Sequence, residues 1–340
     1  MNTIEVSMII FFHGTEDDDT KPENWMSGLS RLLSERFNES VLVIPGVASG
    51  QQAEYADRAL DFIQATGHKA TRSGWHMVRT QDQTNPSLEA AMQAMNRDGF
   101  FSSSSEIALN IPQGIEWRVL QQKIPAFRDM GSETYKSALG IKPRITAATC
   151  AALNYVRRGG DRPVRIIGHS RGGISAIGTH NLLSKFGVFP TTLTLDPCHG
   201  VSVFGTGVKD YYTKAWYGTV VNIPAKKSVG FDSNPFVSRE PIVAAANSVA
   251  QITSYPAVEE VKHGHMGKLV QFEQNKEAQR RTFRQRIDAY IAGLPRGTTM
   301  DVAIANFFDT FGKNRPDQAL IYTNVWITCT QNGALRDQSV

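Results

Sequence analysis

The stretch Val164-Arg165-Ile166-Ile167-Gly168-His169-Ser170-Arg171-Gly172-Gly173 decides how the rest of this chain is read. Its first four residues have the apolar, β-branched character of a buried strand. Ile174-Ser175-Ala176-Ile177, just beyond it, opens a helix-forming run. Between strand and helix stands G-x-S-x-G, formed by Gly168, Ser170 and Gly172. A serine on a tight turn from strand to helix is the sequence form of a nucleophile elbow. The glycines are expected because side chains at 168 and 172 would collide across the turn. A helix beginning after Ser170 aims backbone N–H groups at its oxygen, so Arg171 N–H is an expected oxyanion donor. The bland alternative is the strand–helix turn of a nucleotide-binding protein. It fails for want of a phosphate loop, since Phe204-Gly205-Thr206-Gly207 leads to Asp210 where a third glycine would stand.

Working outward, Met8–Phe12, Val41–Ile44, Thr191–Leu195 and Gly218–Ile223 read as further buried strands, each ending near a Gly, Pro or Asp. Helices are expected over Trp25–Arg36, Ile145–Val156, Ile174–Phe186, Leu269–Leu294 and Val302–Phe311. This alternation predicts an α/β fold with an open, mostly parallel central sheet and helices on both faces. The span 65–142 breaks the alternation and is placed like a cap or lid, with a plain surface insertion as the alternative. The expected organisation is therefore core over 1–64 and 143–270, insertion over 65–142, and a helical region over 271–340.

A serine hydroxyl needs a base within hydrogen-bond reach and a carboxylate to orient that base. Asp196 directly follows Thr191–Leu195, the next strand after the elbow helix, and is the expected acid. A turn or capping aspartate before Pro197 is its alternative, and Asp232 and Asp210 are rival acids. The loop Val261-Lys262-His263-Gly264-His265-Met266-Gly267 lies late in the chain, where a base would come after serine and acid. It offers two histidines; the reading prefers His265 and keeps His263 as the alternative. His180 falls within the elbow helix and His199 in the turn of the acid. The strand Met8–Phe12 runs into His13-Gly14-Thr15, so Gly14 or Thr15 N–H is expected to join Arg171 N–H at the oxyanion. His13 precedes the serine and reads as loop-ordering.

Composition narrows the partners. The chain has 340 residues, with 41% hydrophobic and 20% charged, an ordinary globular balance that argues against wholesale disorder. Its net charge of +4 has no dense Lys/Arg cluster behind it, so no nucleic-acid partner is expected. Cys150, Cys198 and Cys329 make no disulfide framework and point to a reducing compartment. No ligand spacing suggests a metal and no cofactor is expected; Glu16-Asp17-Asp18-Asp19 reads as a solvated acidic loop. The N-terminus lacks the basic region and cleavage site of a signal peptide. The expectation is a cytoplasmic protein, or one exported by a route that uses no such signal.

The run Gly168-His169-Ser170-Arg171-Gly172-Gly173, the later Leu195-Asp196-Pro197 and the Gly-flanked late histidine resemble the lipase and phospholipase branch of the α/β hydrolases. In pancreatic-type lipases the acid likewise follows the strand after the elbow. Phe11-Phe12-His13-Gly14-Thr15 and the elbow also resemble bacterial effector lipases, among them type VI secretion phospholipases and SidB/Sdb-type effectors of Legionella. His13 departs from the Asp-Gly-Thr often found in the type VI enzymes. The resemblance implies an α/β-hydrolase fold, a lipid or other acyl ester substrate, and peripheral membrane contact. A thioesterase, acyltransferase or peptidase on the same fold, or a binding module without a working triad, are the alternatives.

Overall fold

The computed structural model of the chain describes residues 8–14, 17, 21–37, 39–44, 46, 68–71, 74–79, parts of 145–156, 164–184, 187–198, 213–225, 242–255, 262–270, 272 and 275–312. In chain order the strands are β1 (Met8–Phe12), β2 (Ser40–Ile44), β3 (His68–Thr71), β4 (Gly74–Arg79) and β5 (Val164–His169). They continue as β6 (Thr191–Leu195), β7 (Lys214–Ala215), β8 (Thr219–Ile223), β9 (Val243–Ala244) and β10 (Gln251–Ser254). The longer helices are α1 (Trp25–Phe37), α2 (Arg171–Ser184), α3 (Lys276–Gly293) and α4 (Met300–Phe311).

Six strands form one sheet in the order β10-β8-β6-β5-β1-β2, and every neighbouring pair is parallel. The five segments read as strands in the sequence are all in it. The sixth, β10, escapes sequence reading because Gln-Ile-Thr-Ser is polar and largely exposed, as an edge strand can be. One rung joins Ile44, Phe12, Gly168, Thr194, Asn222 and Ser254, so the carboxyl ends of all six strands lie level. The chain turns back between β1 and β5, the switch point at which such sheets open a crevice for ligands.

Burial on both faces explains the unbroken apolar run of β1, and every residue of β6 is likewise buried. Ile9, Phe11, Ile167, Leu193, Leu195, Val221 and Ile223 pack on one face against α1, α3 and α4. Trp25, Leu29 and Leu33 of α1, Phe283, Ile287 and Ile291 of α3, and Ile304, Phe307 and Phe308 of α4 share that core. Ile177 of α2 meets Val220 of β8 on the other face. Ile145, Ala148, Thr149, Ala151 and Ala152 are helical and buried, in agreement with the helix expected there.

The expected helix over Leu269–Leu294 is shorter than the apolar pattern suggested, beginning at Lys276. Asn275 before it is left-handed at φ +43°, which interrupts any helix arriving from 269. Leu269 instead donates its N–H to Glu23 O at 3.1 Å. Two small sheets add to the expected pattern: an antiparallel β3–β4 hairpin within the span 65–142, and a parallel β7–β9 pair. The parallel sheet, its single reversal, helices on both faces and a serine turn at the end of β5 make this an α/β-hydrolase fold.

Candidate active site

The ladder continues past the strand ends and carries the site with it. His13 N–H donates to Ile44 O at 3.0 Å, Ser170 N–H to Leu195 O at 3.0 Å, and Asp196 N–H to Ile223 O at 2.8 Å. Ser170 and Asp196 each stand two residues beyond the common rung, on adjacent strands. Both are left-handed, at φ +57° and +44°, a conformation that costs a non-glycine residue about 1–3 kcal/mol. For Ser170 this is the strained turn that an elbow requires. A Cβ on Gly168 would lie 2.3 Å from Gly172 O, so that glycine does clear the turn. At Gly172 the obstruction is different from the one expected: its Cβ would lie 2.3 Å from Phe12 O, the backbone of β1.

The late loop supplies the imidazole. His263–His265 is a single 3-10 turn, with His265 N–H on Lys262 O at 2.8 Å. His263 Nε2 lies 2.8 Å from Ser170 Oγ, and His263 Nδ1 lies 2.6 Å from Asp196 Oδ2. The carboxylate accepts from Nδ1–H, so Nε2 is the acceptor for the serine hydroxyl proton. The other carboxylate oxygen of Asp196 accepts Ala225 N–H at 3.0 Å. Ser170, Asp196 and His263 are all buried, at 6%, 2% and 7% exposure. The preference for His265 is corrected in favour of His263. Residues two apart on a 3-10 turn differ by about 240° in direction, so only one of the pair faces the serine.

Two further segments fix the loop and the ground beneath it. Trp25 Nε1–H donates to Met266 O at 3.0 Å, and Trp25 N–H to Gly267 O at 3.0 Å. Asn24 caps α1 through Oδ1 on Met26 N–H at 3.0 Å, and its amide nitrogen lies 3.2 Å from His13 Nδ1. Asn24 thus joins the loop after β1 to the start of α1. Buried Glu23 receives a bidentate ion pair from Arg280 of α3, the shortest contact being 2.8 Å. The supporting roles of Trp25, Asn24, Glu23 and Arg280 are not legible in the sequence; only the asparagine before an apolar helix carries a local signal.

Arg171 opens α2, and a Cβ on Gly14 would lie 3.4 Å from Ser170 Cβ, so both expected oxyanion segments border the serine. Thr15, Asp210, Asp232 and His199 lie outside the described residues. His180 is remote from the site: its ring spans Thr192 Oγ1 at 2.9 Å and Tyr217 O at 2.6 Å near the opposite ends of the strands. His169 is buried beside His263, and burial, followed by the neighbouring imidazole, lowers its pKa to about 4. Cys198 is buried, and its backbone N–H donates to Ser170 O at 3.1 Å. Among the described residues no cluster of His, Cys, Asp or Glu is arranged to hold a metal ion. Among them, too, no helix is long and apolar enough to cross a membrane.

No protein-family model and no curated protein matches the chain. Solved structures similar to it include Est1E from Butyrivibrio proteoclasticus with ferulic acid bound. That match has 10% identity and a TM-score of 0.31 over 86% of this chain and 92% of the other. A predicted CIB-like hydrolase from Thermoplasma acidophilum matches at 11% identity and TM-score 0.30, over 86% of this chain and 89% of its own. A peroxisomal α/β-hydrolase from Saccharomyces cerevisiae matches at 9% identity and TM-score 0.27, over 93% and 88%. These likenesses are remote, and the fold assignment stands on strand order and the Ser170 turn instead.

Proposed function

We propose that the chain is a serine-dependent ester hydrolase that works through an acyl-enzyme. The observation that carries this reading is the unbroken chain from Ser170 Oγ to His263 Nε2 and from His263 Nδ1 to Asp196 Oδ2. Ser170 Oγ bonds to the ester carbonyl carbon as its proton passes to His263 Nε2. Asp196 holds the imidazole in the required tautomer and stabilises the imidazolium that forms. Arg171 N–H, at the positive end of α2, and an N–H of the Gly14–Thr15 segment stabilise the oxyanion. Collapse of the tetrahedral adduct expels the alcohol, which takes the proton from His263. Water then attacks the acyl-serine, giving a proton to His263, and the acid leaves as Ser170 is restored.

A lipid or phospholipid is the finer substrate proposal. It rests on the resemblance of the Gly168–Gly173 run and Leu195-Asp196-Pro197 to lipases, and it entails peripheral contact with a membrane surface. The reading is tested with a fluorophosphonate probe and a p-nitrophenyl ester. Labelling at Ser170 and hydrolysis that vanishes in Ser170→Ala are expected. A folded wild-type protein that neither labels nor hydrolyses favours a binding module instead. Adding an alcohol or amine acceptor separates hydrolysis from acyl transfer, and p-nitrophenyl esters against phospholipid vesicles separate general esterase from phospholipase activity.

A further inference from the structure

A fourth side chain touches the triad without belonging to it. His169, the residue before the nucleophile, ends β5 and is 3% exposed. Its ring centroid lies 5.1 Å from that of His263, with the planes tilted by 31°. Its Nε2 lies 3.0 Å from the carbonyl oxygen of His263. A carbonyl only accepts, so Nε2 carries the proton and Nδ1 is a bare lone pair. That Nδ1 is buried without a hydrogen-bond partner. It faces backbone: a Cβ on Gly14 would lie 2.8 Å from it, and one on Gly267 would lie 3.2 Å away. The ring therefore fills the space between the loop after β1 and the loop that carries His263.

The two histidines differ in how firmly the chain holds them. His169 sits in the ladder, paired in register with Leu195. His263 belongs to a turn outside the sheet, whose own backbone bonds are local, such as Met266 N–H to His263 O at 3.2 Å. The carbonyl of His263 has two lone pairs, one taken by that turn and the other by His169.

We propose that His169 is a positioning residue for the reaction: its Nε2–H anchors the His263 carbonyl to the end of β5, which seats the imidazole between Ser170 and Asp196. Gly14 and Gly267 lack side chains at the places where the His169 ring must pass. Burial keeps that ring neutral, so it sets no fixed charge against the imidazolium formed on His263. This inference rests on the hydrolase reading above.

The test compares His169→Leu, which fills similar space without an N–H, with His169→Gln, which keeps a donor at similar reach. Labelling of wild-type Ser170 by the fluorophosphonate comes first; its failure overturns the hydrolase reading and this inference together. With wild type labelled, His169→Leu is expected to lose roughly 10–100-fold in kcat with KM little changed, the scale of a misplaced reacting group. His169→Gln is expected to recover most of that loss. A folded His169→Leu with wild-type kcat, or equal losses in both variants, overturns the inference alone. If His169→Leu does not fold, nitrogen-15 NMR of the wild-type histidines decides. A neutral His169 with an exchange-protected proton on Nε2 supports the anchor, and a proton on Nδ1 overturns it.

Discussion

The indole N–H of Trp25 donates to the carbonyl of Met266 at 3.0 Å, across 241 residues of sequence. The first residue of α1 thereby holds the loop that presents His263 to Ser170. Trp25 is 1% exposed and lies edge-on to Phe308 of α4 at 5.4 Å, so the same side chain belongs to the core and to the support of the site. Trp25→Phe keeps most of the packing but removes the indole donor to Met266 O, at a cost of about 1 kcal/mol plus the lost ring volume. The expected outcome is a lower denaturant midpoint together with slower ester hydrolysis. Unchanged hydrolysis in a destabilised Trp25→Phe would mean that the loop is held well enough by its remaining bonds, those of Trp25 N–H, Leu269 N–H and His169 Nε2–H.

The two loop histidines make opposite predictions. His263→Ala removes the only imidazole hydrogen-bonded to both Ser170 and Asp196 among the described residues. Its kcat should fall at least about 10³-fold, the scale for losing the base of such a triad. His265→Ala should retain most of the activity, because it keeps the backbone bond from His265 N–H to Lys262 O that closes the turn. Parallel rates of fluorophosphonate labelling on the two purified variants check this pair.

His180 gives a dependence of stability on pH. Burial, only partly offset by its bond to Tyr217 O, lowers its pKa from 6.5 to about 4. Between those values the unfolded chain holds a proton that the folded chain does not, so stability falls as pH drops through this window. Above pH 6.5 the ring is neutral in both states and the penalty vanishes. Every tenfold loss of proton affinity on folding corresponds to about 1.4 kcal/mol, so this one ring costs about 3 kcal/mol by pH 4. His169, also lowered to about 4, adds to the same slope. Urea midpoints taken from pH 7 to pH 4.5 should fall, and His180→Gln should flatten the curve.

Gly172→Ala tests the close approach of the elbow to β1. The added methyl would sit 2.3 Å from Phe12 O and 2.6 Å from His13 O, and backbone on both sides cannot rotate away. Overpacking of this kind costs typically about 1–3 kcal/mol, and the resulting displacement would move Ser170 as well. Gly293→Ala is the control: nothing lies within 4 Å of its Cβ position at the end of α3. Thermal melts should separate the two variants, with only Gly172→Ala also losing Ser170 labelling.

The sequence by itself determined the parallel sheet and the serine. Apolar, β-branched runs of strand length that alternate with helical stretches bury two faces in such a sheet, and Gly168-His169-Ser170-Arg171-Gly172 fixes a turn whose geometry is local. Asp196 was legible for the same reason, since a residue at the end of the strand after the elbow must stand beside the serine once neighbouring strands pair in register. Which histidine meets Ser170 was not legible. His263 and His265 share one loop and similar neighbours, and the choice between them depends on the rotation of a single 3-10 turn against β5. That rotation is set by partners distant in sequence: Trp25 on Met266 and Gly267, Glu23 on Leu269, and His169 on the His263 carbonyl. Local pattern placed Ser170 at the end of its strand; only tertiary hydrogen bonds decided which imidazole reaches it.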